Sequence, residues 1–296
     1  MATITASLVK ELREKTGAGM MDCKKALEAC DGDIAASVDW LREKGIAKAA
    51  KKADRIAAEG LTKIVVEGNT AVMFEVNSET DFVAKNQQFL DLLTEIGSVL
   101  MANKPSTMEE AMASKNAAGS TLENILVDAT ATIGEKISFR RFELFTKTDD
   151  QEFGAYMHMG GKISCVTILS KNNAEVAKDV AMHAAAMAPQ FINRAAVSAE
   201  FIEHERTIQT EMAKNDESLA NKPEKVLAGI IEGRLSKMLK EICLEDQPFF
   251  KNPDVTVGQY VKTAEAAIVN CVRYAVGEGI EKRQDNFAEE VMSQMR

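Results

Sequence analysis

The sequence predicts an α+β protein made of more than one module. Strand-like segments of period two lie beside amphipathic helices without the regular alternation of a parallel sheet, and this is typical of α+β folds. A strand-turn-helix pattern recurs at one constant offset, so the core is expected to contain two repeated strand/helix subdomains. With 296 residues, of which 46% are hydrophobic, the chain is long enough for two or more cores.

Residues 1–55 are predicted to form a small module of three helices. Asp33 is the expected N-cap of the third helix, and Gly45 is its expected end. The apolar residues that would form the core of this module recur at helical spacing: Leu8, Leu12, Met21, Leu27, Ile34, Val38 and Leu41.

Met20 and Met21 lie at the end of a glycine-rich turn between the first two predicted helices. Methionine side chains suit an adaptable contact surface, but they can equally pack inward. Both interpretations stay open on the sequence alone.

The segment from Lys48 to Arg55 is basic and rich in alanine. Such a run can be a localisation signal or a nucleic-acid patch, but at this length a solvated helical linker is favoured. We expect it to join the first module to the core.

Residues 56–148 are predicted to form the first half of the core, and residues 149–198 and 245–276 the second half. The first half is expected to contain strands over 61–66 and 70–76 joined by a turn at 67–69, a long helix after Thr80, a helix over about 121–134 and a strand over 137–143. The second half is expected to contain strands near 154–158 and 162–169, a helix over about 173–188, a helix over 256–262 and a strand over 266–276.

Residues 199–244 are predicted to form an antiparallel coiled-coil hairpin inserted into the second half of the core. Partner binding, self-association and a purely structural insertion all fit this pattern. Residues 277–296 are expected to form a C-terminal helical module, in which Phe287 and Val291 could dock a partner or fold back on the core.

The segment from Asn77 to Asn86 is the candidate functional site, because it places an acid and an aromatic residue side by side where a strand leads into a helix. Thr80 is the expected N-cap, so Asp81 and Phe82 would occupy the first helical turn. A structural alternative is that the helix dipole favours Asp81 there and that Phe82 begins the core face of the helix.

The internal repeat favours a functional role for this pair. Its two copies match strand positions and the Val-Ala-Lys start of the helix, but Ala174 and Glu175 stand in the second copy where Asp81 and Phe82 stand in the first. The acid and the aromatic residue are therefore interpreted as additions to a scaffold.

The net charge of −9 and the pI near 5.1 argue against a nucleic acid as direct partner, because binding to phosphates requires basic patches. The five cysteines are scattered and mostly on apolar faces, as reduced core thiols are, so a cytoplasmic location is expected. No run reaches the roughly 18 apolar residues of a membrane span, and no secretion signal is recognised.

Motifs for phosphate-binding loops, dinucleotide sites, nucleophile elbows and zinc hydrolases do not occur in the sequence, so we expect neither an enzyme nor a cofactor or metal site. Among the histidines, His183 is expected in the core. His158 stands at a predicted strand end before two glycines, where it could project to a partner or be an ordinary turn residue.

Two long motifs carry a family resemblance: TDFVAKN over Thr80–Asn86 and TGAGMMDCKKAL over Thr16–Leu27. Together with shorter matches at 232–234, 247–249 and 276–282, they resemble the bacterial translation elongation factor Ts family. The resemblance implies an N-terminal domain similar to ubiquitin-associated domains and a factor that promotes GDP release from elongation factor Tu, in a heterodimer or larger complex with that GTPase.

The same resemblance implies the contact residues. Thr80, Asp81, Phe82 and Val83 would meet the partner, with the aromatic ring entering an apolar pocket and the carboxylate disturbing the surroundings of the partner's Mg²⁺.

Arg13, Met20, Met21 and His158 would be secondary contacts, although the residues flanking His158 differ from the usual family pattern. Weak self-association through the hairpin is a further expectation. An adaptor that only binds helices and an enzyme with an unrecognised cleft remain as alternative classes.

Overall fold

The computed structural model describes residues 4–216, 218–219 and 222–281. Within these residues, helices and small sheets of two or three strands occur together, which confirms the predicted α+β class. The chain divides into two compact units. Among the described residues, unit 1 contains those of 4–145, 160–162 and 274–281, and unit 2 contains those of 146–159 and 163–273.

Three helices form the N-terminal part of unit 1: α1 (Ala6–Thr16), α2 (Met20–Ala29) and α3 (Ile34–Ala50). Asp33 caps α3 as predicted, and Thr5 caps α1; each accepts a hydrogen bond from a backbone N–H in the first turn. The buried residues of this small core are Val9, Leu12, Cys23, Ala26 and Leu27.

The predicted end of α3 at Gly45 is wrong, because the helix continues through this residue to Ala50. Gly45 is buried, and a Cβ atom placed on it would lie 3.2 Å from the Cβ of Ala131 on α7 (Leu122–Ile133). That is tighter than an ordinary van der Waals contact. The glycine therefore serves the close packing of two helices rather than the end of one.

The basic segment after α3 is not solvated over its whole length, contrary to the prediction of a solvated linker. Lys52 is half-buried, and its ammonium group donates a hydrogen bond to the carbonyl of Gly134, the residue that ends α7. The ammonium group of Lys136 donates to the carbonyls of Ala53 and Arg55, at 2.6 and 2.9 Å. The last carbonyls of a helix have no partners within it, so the end of α7 attracts the Lys52 ammonium group.

Unit 1 contains a sheet in the order β1-β2-β3, formed by β1 (Glu59–Glu67), β2 (Thr70–Ser78) and β3 (Ser138–Thr146). The first two strands form the predicted antiparallel hairpin, and Gly68 in its turn has a positive φ of 56°. Strand β2 is central and buried over nearly its whole length, up to and including Ser78, its last residue.

The single long helix predicted after Thr80 is wrong. The structure has a four-residue helix α4 (Asp81–Ala84), then a break, then α5 (Gln87–Asn103). The break occurs because the Asn86 side chain accepts the backbone N–H of Gln88 and starts a new helix. Residues before and after the break therefore need not share one helical face.

Helix α5 packs on β1 and β2, and α7 packs on α5 and on α6 (Met108–Ala113). Thr121 and Gly134 bound α7 as predicted. The largest fully buried side chains of this core are Phe74, Phe89, Ile96, Leu100 and Leu122.

Unit 2 contains a second sheet in the order β4-β5-β8, formed by β4 (Glu152–His158), β5 (Ile163–Leu169) and β8 (Ile268–Ala275). Helix α8 (Ala174–Met187) packs on β4 and β5, and Ala188 is its C-cap. A small sheet of β6 (Pro248–Phe249) and β7 (Asn252–Thr256) leads into α11 (Val257–Thr263).

The internal repeat places matching residues on matching strands. Val72 lies on β2 and Cys165 on β5, and each of these is the central strand of its sheet. The helix that follows is capped in both copies, by Thr80 before α4 and by Asn173 before α8. Helix α8 runs for 14 residues without interruption, so the break after four residues belongs to the first copy.

Residues 199–244 contain a pair of helices, α9 (Ala199–Lys214) and α10 (Glu224–Ile242). Arg206 of α9 pairs with Glu232 of α10. The hydrophobic cluster of the hairpin contains Phe201 and Ile202 of α9, Leu235, Met238, Leu239 and Ile242 of α10, and the neighbouring Phe191, Val197 and Cys243. The supercoiling of this pair stays a prediction, as do the predicted domain boundaries.

The predicted C-terminal module falls mostly outside the described residues, and Phe287 and Val291 lie outside them. The segment up to Glu281 is anchored to the sheet of unit 1, because the N–H of Gly277 donates to the buried carboxylate of Glu75 at 2.8 Å.

Candidate functional site

The candidate site is the junction between β2 and α4. The Thr80 hydroxyl accepts a hydrogen bond from the N–H of Val83 at 3.4 Å, so Thr80 is the N-cap that the sequence predicts. The hydroxyl of Ser78 donates to the Thr80 carbonyl at 2.9 Å. Two local side-chain bonds therefore turn the chain sharply from the strand into the helix.

Phe82 is 80% exposed, whereas Val83 and Ala84 on the same short helix are buried. This excludes the alternative in which Phe82 begins the core face of a long helix. Phe89 occupies that core position instead, on the far side of the break at Asn86. The junction thus directs a large apolar ring into solvent while the neighbouring residues anchor it.

Asp81 lies beside Phe82 with about half of its side chain exposed, and its carboxylate accepts a hydrogen bond from the ammonium group of Lys85 at 2.7 Å. This hydrogen bond lowers the pKa of Asp81 below its ordinary value, so the group is negatively charged near neutral pH.

Two carboxylates from different parts of unit 1 hold the junction. Glu135 accepts the N–H of Thr80 at 2.9 Å with one oxygen and the Thr80 hydroxyl at 2.7 Å with the other. In the opposite direction, Glu79 accepts the N–H of Lys136 at 2.6 Å, and Arg55 lies 3.3 Å from the same carboxylate. Sequence reasoning missed Glu79 and Glu135, because nothing local indicates that residues so far apart meet.

Met20 and Met21 are 60% and 64% exposed, so the inward-packing alternative is wrong for both. Helix α2 buries Cys23, Ala26 and Leu27 instead, which removes Met21 from the predicted core. Arg13 is exposed on α1.

His158 is exposed at the end of β4 in unit 2, and its Nδ1 atom lies 3.1 Å from the hydroxyl of Tyr156. The neighbouring Met159 is 71% exposed and has a positive φ of 49°. His183 is fully buried as expected, and its Nε2 atom lies 3.0 Å from Gln247. The structure thus brings Thr80, Asp81, Phe82 and Val83 together in one turn, and places the other predicted residues on other elements.

No group of three or more His, Cys, Asp or Glu side chains in the described part of the chain is arranged to hold a metal ion. The five cysteines have free thiols. None of the helices in the described ranges combines the length and the apolar character needed to cross a bilayer.

An exposed aromatic ring next to an ion-paired carboxylate, on a rigidly capped turn, is typical of proteins that act by contact with a macromolecular partner. The comparisons with known proteins agree with this class. The family described as "Elongation factor TS" matches residues 79–278. "Elongation factor Ts" of Acholeplasma laidlawii (strain PG-8A) is 59% identical over 293 residues, which are 99% of this chain and 99% of that protein. The chain belongs to the elongation factor Ts family.

Proposed function

We propose that this chain is a guanine-nucleotide exchange factor for elongation factor Tu in the cytoplasm. It speeds the release of GDP, so that the GTPase can bind GTP again during translation elongation. Family membership supports the proposal, and the structural observation that carries it is the exposed Phe82 ring beside the charged Asp81 carboxylate. The factor accelerates a dissociation step without making or breaking a covalent bond, so it is not an enzyme in the usual sense and uses no cofactor.

Phe82 supplies apolar binding free energy. An exposed phenylalanine that becomes buried contributes roughly 1.5–3 kcal/mol. The helix that carries it is already capped, and its neighbours Val83 and Ala84 are already buried, so little conformational entropy is lost on binding. The ring enters an apolar pocket between helices of the partner and acts there as a wedge.

Asp81 supplies the electrostatic part. A GTPase holds the phosphates of GDP partly through Mg²⁺, so a carboxylate that competes for the ion's water network weakens nucleotide binding. In the free protein Lys85 occupies this carboxylate. Both side chains are substantially exposed, and exposed ion pairs are weak because water screens them, so the partner can displace Lys85 easily.

Thr80 and Val83 were expected to meet the partner from the family resemblance, but in this proposal both support the pair from the scaffold. The Thr80 hydroxyl caps the helix, and the buried Val83 side chain anchors it.

The secondary contacts are the exposed Arg13, Met20, Met21 and His158. Met20 and Met21 present flexible apolar side chains at the start of α2, which suits adaptable contact with a partner. In this proposal the three N-terminal helices are a domain similar to ubiquitin-associated domains. The helical hairpin is an antiparallel coiled coil that serves partner binding or weak self-association.

The test is the release of fluorescent GDP from elongation factor Tu in the presence of excess unlabelled nucleotide. Addition of the chain should increase the release rate in proportion to its concentration and then saturate. Binding to the GTPase without faster release would contradict the proposal and favour an adaptor. Conversion of the nucleotide during the assay would favour an enzyme.

A further inference from the structure

The turn that carries Asp81 and Phe82 is fixed by the carboxylate of Glu135, a residue from another part of unit 1. This carboxylate accepts hydrogen bonds from both the backbone N–H and the hydroxyl of Thr80. Glu135 accepts the Thr80 N–H at 2.9 Å and the Thr80 hydroxyl at 2.7 Å, with separate oxygens. Glu135 follows Gly134, which ends α7 in the left-handed conformation. The core helix α7 is therefore connected directly to the cap of α4.

The arrangement determines which way the cap hydroxyl points. A threonine hydroxyl has one proton and two lone pairs, and the proton of Thr80 is directed to Glu135. A lone pair is then left for the N–H of Val83, which is the bond that starts α4. Hydrogen bonds to a charged acceptor are stronger than those between neutral groups, so Glu135 stabilises this orientation.

Glu79 makes a reciprocal contact. Its carboxylate accepts the N–H of Lys136, the residue after Glu135, at 2.6 Å. Glu79 and Thr80 at the junction are thus joined to Glu135 and Lys136 after α7 by two hydrogen bonds of the same kind. In each of them a backbone N–H of one segment donates to a carboxylate of the other. Paired bonds of this kind restrict both translation and rotation of the turn.

We propose that Glu135 is a positioning residue for nucleotide exchange: it holds the cap of α4 so that Phe82 and Asp81 are presented in one fixed orientation. This inference rests on the proposed function. In this proposal Glu135 acts through its two hydrogen bonds with Thr80.

The decisive variant is Glu135→Ala, and unit 1 offers a control in which another glutamate accepts the same two kinds of donor within a local turn. Glu110 accepts the N–H and the hydroxyl of Ser106 at 2.8 and 2.7 Å, away from the junction. Glu110→Ala therefore removes the same kind of interaction without touching α4. Both variants are compared in the fluorescent GDP assay and by thermal unfolding.

Glu135→Ala should lower the maximal exchange rate at saturating factor about tenfold, the size expected for loss of a hydrogen bond to a charged group. The factor concentration at half-maximal rate should change much less, because Phe82 and the other contacts are still present. Glu110→Ala should leave both quantities unchanged.

Glu135→Gln keeps one acceptor for the Thr80 N–H and should give an intermediate rate. It also serves as the test variant if Glu135→Ala does not fold.

A chain that already carries Asp81→Asn and Phe82→Ala separates positioning from general stability. In that background Glu135→Ala should add little further loss, because there is no side-chain pair left to position. Equal losses in both backgrounds, or a Glu135→Ala rate equal to that of Glu110→Ala, would overturn the inference. If Phe82→Ala and Asp81→Asn themselves leave exchange intact, the proposed function of the junction has failed. If those two variants lose exchange activity but Glu135→Ala has a normal exchange rate, the positioning role of Glu135 is wrong and the proposed function of the junction stands.

Discussion

Phe82 and Phe89 show how one residue type takes opposite roles within one turn-helix segment. Phe82 is 80% exposed before the break at Asn86, and Phe89 is fully buried after it. An exposed large apolar side chain on an otherwise well-packed scaffold is a typical interface anchor.

Phe82→Ala should therefore leave folding almost unchanged and reduce exchange. The lost anchor is worth on the order of 2 kcal/mol, which is roughly thirtyfold in the second-order exchange constant. Phe89→Ala is the matched control: it should cost about 3–5 kcal/mol in unfolding free energy, because it opens a cavity in the core. Chemical denaturation and the GDP-release assay measure the two effects. A Phe82→Ala protein that unfolds as easily as Phe89→Ala would contradict the assignment.

Asp81→Asn should slow exchange, and the defect should shrink as Mg²⁺ is lowered. Asparagine keeps the size of the side chain but removes the charge that acts near the partner's ion, so the loss matters only while the ion is bound. Release rates are measured over a Mg²⁺ series. Lys85→Gln is the control, because it removes the same ion pair yet keeps the Asp81 charge. Normal exchange by Asp81→Asn at every Mg²⁺ concentration would contradict the functional role of Asp81 and favour a purely structural one.

At the scale of secondary-structure elements, Glu75 connects strand β2 to β3 and to the segment after β8. Its fully buried carboxylate accepts hydrogen bonds from Arg140 at 3.0 Å, from Arg141 at 2.6 Å and from the N–H of Gly277 at 2.8 Å. Burial alone would raise the pKa of Glu75, but the hydrogen bonds from Gly277, Asn77 and the two arginines outweigh burial and hold the pKa below 4.5.

Glu75→Gln should destabilise the protein by roughly 3 kcal/mol, because it leaves partly buried arginines without their counter-charge. The folded protein stabilises the charged carboxylate of Glu75, so the pKa of this group is lower in the folded than in the unfolded chain. The stability that Glu75 adds is therefore complete above the ordinary pKa of 4.5, and it is lost as the pH falls through the lower pKa of the folded state. Urea unfolding at several pH values measures this. Glu67→Gln, at the exposed end of β1, should show no such effect. A pH dependence unchanged by Glu75→Gln would contradict the role of this network.

At the scale of the whole molecule, the N-terminal helices have their own core but are also attached to unit 1. Helix α3 packs on α7 at Gly45, and Lys52 and Lys136 connect the following segment to the end of α7. The main core of unit 1 is formed by residues from Leu61 to Phe139.

Removal of residues 1–55 should therefore leave a cooperatively folding chain with a lower melting temperature. Exchange should weaken mainly through a higher half-saturating concentration, because Met20, Met21 and Arg13 are removed while the junction remains. Calorimetry and the GDP-release assay test these points. Loss of the cooperative thermal transition would show that the first 55 residues are part of the core and not a separate module.

Binding to the GTPase should be tightest when its nucleotide site is empty. If the factor lowers the affinity for GDP, then GDP must lower the affinity for the factor by the same ratio. Calorimetric titration of nucleotide-free and GDP-bound elongation factor Tu measures that ratio. Equal affinities would contradict exchange.

The sequence by itself determined what depends on neighbouring residues. Asp33 and Thr80 were predictable as caps because a short polar side chain meets an N–H three residues later, and period-two patterns located the strands. Contiguous motifs also led to the family.

Only the tertiary structure decided the exposure of Phe82, the use of Gly45 for close helix packing and the bonds from Glu135 to Thr80. A helical pattern does not show whether two consecutive helices present their apolar residues on one common face. The role of Gly45 depends on Ala131, a residue on another helix. Contacts between residues distant in the chain arise from packing, which local hydrogen-bonding rules and periodicity do not encode.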